Sequence, residues 1–505
     1  MSPRQRLLIT IAVMATTVMQ VLDTTIVNVA LPHMEGQLEA TPDQITWVLT
    51  SYLVASAVFM PLTGFFTDRL GRRRYLLISI FGFVLFSALC GLAASLDQIV
   101  VFRLLQGAFG ASLVPLSQAI LVSVYPIEER GRAMAIWGIG VMIGPILGPT
   151  LGGYLTEVLS WRWTFFINLP VGILSYILAL TSVPDTPRQQ RAMDWGGLAY
   201  LALCISALQF LLDRGNEYGW IGSLRIQLAA VISVAGLAAF TVHSAGRRKS
   251  RLFDLRILAD RNFTVASFLL AIFGLGMYGS MVMQPLFLET RLHYPTLTTG
   301  LVMAPRGVVS ALSMLVVGRL ITRMSPRILI TIGIILSGLG TWAMGRYDLH
   351  ISEWQVIWPV LIQGMGLGMI YVPLSTVAFS TLPRESAPEA AGLFSLMRTV
   401  GSSIGISLVT TMFIRHGQMA WNTIGAHITA FGTAAITYLA PLHLLPQTPL
   451  GAEVLAGTLA RQSQMVAFDA AFVFITMSFV AMLPLVLLIG DHRLGGEAAS
   501  VVVAD

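Results

Sequence analysis

The sequence predicts an all-α polytopic membrane protein of fourteen transmembrane helices, and three observations predict it. Of its 505 residues, 55% are hydrophobic and 11% are charged, whereas soluble domains carry about 25% charged residues; mean hydropathy is +0.76. The apolar runs continue unbroken for roughly 20 residues, enough to cross a ~30 Å hydrocarbon core as a helix, and lack the ~10-residue alternation of barrel strands. The basic residues fall in short loops between these runs. Topology thus accounts for the net charge of +6, and no nucleic-acid partner is expected.

The spans are expected near 7–31, 45–65, 75–94, 98–118, 133–155, 162–183, 195–212, 225–243, 262–289, 298–322, 326–345, 355–378, 390–414 and 466–490. Alternate loops carry Arg69, Arg72, Arg73 and Arg74; Arg130 and Arg132; Arg188 and Arg191; a run from Arg247 to Arg261; then Arg319, Arg323 and Arg327. The positive-inside rule places these loops and both termini in the cytoplasm. Arg4 and Arg6 precede a run too long for a signal peptide, so the first span should remain as an anchor.

A parallel internal repeat organises the chain. Gln106-Gly107, Val114-Pro115-Leu116-Ser117 and Pro126 recur as Gln363-Gly364, Val372-Pro373-Leu374-Ser375 and Pro383, displaced by 257 or 258 residues. Gly64 and Arg69 match Gly318 and Arg323 at 254. Parallel repeats of six spans are a transporter architecture. The expected domains are a six-helix bundle at 1–190, two inserted helices at 191–250, and a second bundle at 251–505. A long outer segment near 415–464 should form short helices on the outer surface or a partner contact.

Several chemistries are excluded. Cys90 and Cys204 both fall inside spans, and no Cys/His cluster has metal-ligand spacing. Lys249 is the only lysine and follows Arg248 where a P-loop needs glycine. The chain therefore has no Walker A motif and, read alone, no means of using ATP; a secondary active transporter rather than an enzyme is expected.

The first span carries Asp23. A carboxylate at membrane depth costs about 2.5–3.5 kcal/mol on insertion scales, so it should face a bundle interior or a wet cavity. Thr16, Gln20, Asp23, Thr24 and Asn28 share one helical face. That face reads either as a polar seam locking helices together or as a proton or cation site, with Gln20, Thr24 and Asn28 lining a cavity. Arg103 in span four, with Gln106 one turn deeper and expected to line the substrate cavity, lies ~8 Å inside the outer boundary, and Asp23 lies ~12 Å inside it. An Asp23–Arg103 ion pair follows, either a static brace or a switch that proton binding breaks.

The loop after span two runs from Gly64 to Arg74. Gly71 permits a tight turn, Arg69 and Arg72 sit at the headgroups, and Asp68 can pair with Arg130 or Arg132. The set reads as a topological anchor or as a breakable cytoplasmic gate. Span five holds Gly140, Gly144, Gly148 and Gly152 at intervals of four, with Pro145 and Pro149 among them; these give a smooth face for close helix approach and a kink, a packing hinge. Arg306, Arg398 and Gln363, in the second repeat, should face the central cavity, where an anionic substrate or buried carboxylate could meet the arginines. Asp213, Glu289 and Asp469 sit at span edges, where solvation accounts for them. Phe273, Met277, Met281, Met283 and Phe287 suit a promiscuous apolar pocket, although lipid-facing and core packing explains most such residues.

Together these residues resemble the major facilitator superfamily, specifically its fourteen-helix drug:proton antiporters of the EmrB branch. Gly64 to Arg74 is similar to the superfamily's signature loop, Arg103-Leu104-Leu105-Gln106-Gly107 to its fourth-helix motif, and Gly138 to Gly153 to its antiporter motif. Leu22 to Pro32 resembles the first-helix motif of the fourteen-helix group. Trp161 to Pro170 and Leu212-Asp213-Arg214-Gly215 resemble EmrB-type stretches. The resemblance implies the major facilitator fold and export of lipophilic compounds in exchange for protons, with the proton motive force in place of any cofactor. In Gram-negative cells it further implies an inner-membrane location, a periplasmic EmrA-like adaptor and a TolC-like outer-membrane channel. Thr322 stands where Asp68 would repeat, and span ten lacks a carboxylate, which disfavours dicationic drugs. Export of one endogenous compound, such as a siderophore or acidic metabolite, and a non-transporting receptor or scaffold are the competing readings.

Overall fold

The computed structural model describes residues 2–188, 193–246, 255–349, 351–429 and 431–490, and among these residues the regular structure is helical throughout. The expected basic residues Arg191, Arg247, Arg248, Lys249 and Arg251 lie outside the described residues. Fourteen long helices follow in order: α1 (Pro3–Gln37), α2 (Trp47–Leu70), α3 (Arg72–Leu92), α4 (Leu96–Val124), α5 (Ile127–Val158), α6 (Trp163–Ser182), α7 (Trp195–Arg214) and α8 (Leu224–Ser244). After these come α9 (Arg261–Thr290), α10 (Thr296–Leu320), α11 (Pro326–Met344), α12 (Glu353–Ala378), α13 (Ala387–Gly425) and α14 (Pro449–Val486). All but α5 are, among the described residues, long and apolar enough to cross a membrane. Helix α5 has 32 residues and contains side chains outside the described set, Pro145 and Pro149 among them.

Local chemistry fixes the helix ends. Ser2 caps α1 by accepting from Gln5 N–H at 3.2 Å, ahead of Pro3 in the first turn. Ser352 and Gln355 form a capping box at the start of α12. Gly71 joins α2 to α3 at φ +84°, and a methyl group there would lie 2.5 Å from Asp185 Oδ1. Both the backbone angle and the space demand glycine.

Two expected spans are longer than their hydropathy. Helix α13 has 39 residues and α14 has 38, against expected spans of about 25. At ~1.5 Å per residue each exceeds ~55 Å, far more than a ~30 Å core. Polar residues such as Arg415, Gln418 and Asn422 end the apolar window yet are compatible with a helix. The outer segment is thus mostly continuous helix, plus a short one at Thr433–Leu439.

Helix α1 packs against α5, α6 and α4, and α9 packs against α13, α14 and α12. The span-five glycines explain the first contact. A methyl group on Gly148 would sit 2.2 Å from Thr25 Oγ1, and one on Gly144 2.6 Å from the Val21 carbonyl carbon. Gly140 meets Met14 and Gly152 meets the Ile26 carbonyl in the same way. The α9–α13 contact is built alike. Gly401 and Gly405, at the repeat spacing from Gly144 and Gly148, lie against Ala271 and Leu275 at 2.1 and 2.4 Å by the same measure. The sequence reading found the first copy of this groove and missed the second, because Met397 and Val409 replace two of its four glycines.

Helices α1–α6 meet α9–α14 along two seams, α5 against α10 and α2 with α4 against α13. At the arginine-rich end the seams are tight. Gly64 abuts Glu389, Gly392 abuts the Met60 carbonyl, and Gly131 and Gly318 abut Ile321 and Ala135. Helices α7 and α8 pack on each other, and the far end of α7 touches both groups. There Asp213 accepts from the Thr50 hydroxyl, Arg214 donates to Thr46 Oγ1 at 2.6 Å, and the Leu212 carbonyl accepts from Ser407 Oγ at 2.7 Å. Thr411 Oγ1 also donates to Asn216 Oδ1 at 2.9 Å. Asp213, exposed at the span edge as expected, also helps to tie α7 to α2.

Candidate functional site

The structure brings Asp23 and Arg103 together in the core of the first six helices. Arg103 Nη1 donates to Asp23 Oδ2 at 2.7 Å, and both residues are fully buried. Arg103 also donates from Nε to the Val48 carbonyl at 3.0 Å and from Nη1 to Gln106 Oε1 at 2.8 Å. The Tyr52 and Phe165 rings lie 4.2 and 5.7 Å from the guanidinium, so cation–π contact adds to the pairing. The other carboxylate oxygen, Asp23 Oδ1, accepts from Gln106 Nε2 at 3.1 Å and from Asn168 Nδ2 at 2.7 Å. Asn168 donates in turn to Ser87 Oγ, which donates to the Phe165 carbonyl.

This geometry decides one alternative and corrects one expectation. Of the bundle interior and the wet cavity, Asp23 takes the interior: its exposure is 0%, and three protein donors replace a solvation shell. Gln106 does not line a substrate cavity: it is fully buried and bridges Asp23 and Arg103. Its amide supplies both a donor and an acceptor where the ion pair needs each. Asn168 and Tyr52 complete the site without having been singled out. Asn168 lay in the Trp161–Pro170 stretch, but no spacing rule links α6 to α1 across 145 residues.

The remaining cavity candidates separate by depth. Gln20 is buried and donates to Tyr52 Oη at 2.9 Å. Thr24 is half-buried and bonds its own helix, while Asn28, one turn on, is exposed. Arg398 on α13 is half-buried within electrostatic reach of Tyr371. Arg306 on α10 is 6% exposed. Gln363, expected to face the cavity, is fully buried in this structure and donates to Ser280 Oγ at 2.9 Å. The Ser280 hydroxyl also lies 3.3 Å from Gln363 Oε1, so among the described residues the amide pairs with the α9 hydroxyl.

A stack of rings crosses between the two helix groups. Trp137 of α5 lies 6.0 Å from Tyr371 of α12, which lies 6.0 Å from Phe273 of α9, and all three are essentially buried. Trp137 is anchored by donating from Nε1 to Thr17 Oγ1 at 3.1 Å. On the arginine-rich side of the molecule stand the expected gate residues. Gly64 fits only because it lacks a side chain against Glu389. Asp68 is half-buried, Arg69 lies 6.0 Å from the Phe65 ring, and Arg132 is exposed. Arg72 donates to Ser123 Oγ at 2.6 Å, and Arg130, 6% exposed, donates to the Phe379 carbonyl across the seam at 3.3 Å.

Comparison with known proteins places this arrangement. The Major Facilitator Superfamily profile matches residues 13–406. The chain is 35% identical over 84% of both sequences to the Multidrug export protein EmrB of Haemophilus influenzae. It is 33% identical over 93% of both to the Fatty acid resistance protein FarB of Neisseria gonorrhoeae. It is 30% identical to the Colistin resistance protein EmrB of Acinetobacter baumannii, over 78% of this chain and 77% of that one. Two solved structures share the fold. One is the human organic anion transporter MFSD10, with a TM-score of 0.62 and 16% identity over 96% of this chain and all of that one. The other is the proton:xylose symporter XylE, with a TM-score of 0.60 and 14% identity over 96% and 97%. A transporter scaffold, a profile match across most of the chain and relatives aligned nearly end to end agree, and the chain belongs to the Major Facilitator Superfamily.

Proposed function

We propose that this protein is a proton-coupled antiporter that exports lipophilic drugs or toxic compounds across the cytoplasmic membrane. The relatives' names support drug export. The buried Asp23–Arg103 pair carries the proton coupling, because it is an ionisable couple held in the core of one repeat with no carboxylate at the matching place in the other. Protonating Asp23 would leave Arg103 with an uncompensated charge, so proton uptake and rearrangement of α1 against α4 are linked. With no exposure in the state described, Asp23 meets a proton only when the helices around it part, which is what alternating access supplies.

The driving force suffices. A proton moving inward contributes ~2.3 kcal/mol per 100 mV and about 1.4 kcal/mol per pH unit, which at ~1.4 kcal/mol per tenfold ratio sustains a gradient of neutral substrate of at least roughly a hundredfold. In this reading the arginine-rich end and both termini face the cytoplasm, and Gly64, Asp68, Arg69, Gly71, Arg72, Arg130 and Arg132 form the gate there. The long α13–α14 hairpin would meet an EmrA-like periplasmic adaptor feeding a TolC-like channel.

The test is proteoliposome transport with a pH-sensitive dye inside. Wild-type protein should release protons when substrate is added, and Asp23→Asn should abolish that release while still binding substrate. Unchanged release in Asp23→Asn removes Asp23 from the coupling.

A further inference from the structure

The second repeat reproduces the first site with its charges rearranged. A methyl group on Gly107 would lie 2.4 Å from the Tyr52 carbonyl oxygen, and one on Gly364 2.4 Å from the Arg306 carbonyl oxygen. Arg306 therefore stands where the first repeat has Tyr52, at the 254-residue displacement that relates Gly64 to Gly318. Gln363 donates to Ser280 as Gln106 donates to Asp23, both pairs displaced by 257 residues. Val360 takes the place of Arg103. The second repeat thus keeps the glutamine and supplies an arginine from a different helix, and it puts a hydroxyl where the carboxylate was.

Among the described residues the result is a cation without a counterion in hydrogen-bond contact. Arg306 is 6% exposed, about 15 Å from the start of α10 at ~1.5 Å per residue, and its buried Nε and Nη2 have no hydrogen-bond partner among those residues. Gln284, one turn beyond Ser280 on α9, is fully buried, and neither its Nε2 nor its Oε1 is partnered among them. Ser310, one turn beyond Arg306, has a buried hydroxyl in the same condition. Buried donors left without acceptors are costly, and an unpaired guanidinium more so. Arg103 solves the same problem with a carboxylate from its own chain. Helices α9, α10 and α12 pack on one another, with Ser280 of α9 bonded to Gln363 and the Arg306 backbone of α10 against Gly364.

We propose that Arg306, with Gln284 and the Ser280–Gln363 pair, is an anchoring subsite for the carboxylate of an organic-anion substrate. The ligand takes the part that Asp23 plays in the first repeat: one oxygen on the arginine fork and the other on amide and hydroxyl donors. Its apolar body lies against the neighbouring apolar and aromatic side chains of the bundle. This assignment rests on the export reading and names the substrate class for it.

The experiment is direct binding to purified full-length protein in nanodiscs, with naphthoate, naphthylmethanol and naphthylmethylammonium as probes of one shape and three charges. Arg306→Gln should weaken naphthoate at least about tenfold, the size expected for a charge-assisted contact, and leave naphthylmethanol unchanged. Gln284→Leu should act in the same direction, more weakly. Ser280→Asp restores an internal counterion, so it should raise the melting temperature and abolish naphthoate binding. Equal loss of all three probes in Arg306→Gln, or undiminished naphthoate binding in Ser280→Asp, overturns the proposal. Full displacement of naphthoate by chloride at equal concentration also overturns it, since the site would then hold an inorganic ion. If wild-type protein binds none of the probes, the export reading falls too; if it binds the alcohol and the ammonium but not naphthoate, the carboxylate subsite alone falls.

Discussion

The two repeats place a glutamine of one fourth-position helix against a polar residue of the facing first-position helix, yet they end in opposite electrostatic states. In the first, Asp23 and Arg103 neutralise each other, and the Gln106 and Asn168 amides complete the carboxylate. In the second, among the described residues, Gln363 pairs with Ser280 and Arg306 keeps two buried nitrogens without partners. One backbone architecture can therefore hold a closed ionic network or an open one, and side chains at three positions decide which. A closed network suits a switch that a proton breaks. An open one suits a ligand that supplies the missing charge.

The largest effect that can break this comparison is expected at Asp23. Asp23→Asn leaves Arg103 buried and charged with only neutral acceptors, which should cost about 3–5 kcal/mol, read as a lowered melting temperature in detergent. The double variant Asp23→Asn with Arg103→Met should recover most of that loss, because a buried pair replaced by apolar packing is often neutral. No recovery would mean that the pair is not the unit of stability.

A second test uses the glycine grooves that seat α1 and α9. Gly148→Leu and Gly405→Leu should each destabilise by at least about 1–3 kcal/mol, the usual cost of overpacking, because each places side-chain atoms into a facing helix. Gly338→Ala is the control: the nearest atom to its added methyl is 3.9 Å away, and its melting temperature should not fall. Equal tolerance at Gly148 and Gly338 would argue that α1 and α5 are not held at the distance described.

Smaller effects sharpen the picture. Asn168→Leu removes one donor from a fully buried carboxylate and should cost about 1–3 kcal/mol; chemical denaturation against Ser87→Ala would show whether the two act as one network. Thr50→Val breaks the bond to Asp213 at the far end of α7 and should cost about 1 kcal/mol. Arg132→Ala, at an exposed position, should change stability by less than about 0.5 kcal/mol. A large loss there would reveal a partner that its exposure does not suggest.

The helices were legible because membrane insertion imposes length and composition on each segment separately. Span order, the α5 groove and the shared depth of Asp23 and Arg103 all follow from the ~1.5 Å rise and the price of charge in hydrocarbon. The reading failed where a residue's surroundings come from other helices. Gln106 reads as a cavity residue because polar side chains inside a membrane usually meet water or ligand, and it instead meets Asp23 on the first helix of its own repeat. The lengths of α13 and α14 were missed because hydropathy marks where lipid ends and not where a helix does.

What the sequence alone determined was the material: fourteen apolar segments, a basic side, a duplicated core and a few ionisable groups too costly to be incidental. Whether Asp23 is wet or sealed, whether Arg306 has a counterion, and where α7 ties down were decided by tertiary packing. The physical reason is range. Insertion energy is a sum over neighbours along the chain, whereas a hydrogen bond or an ion pair exists only when distant segments are brought within about 3 Å.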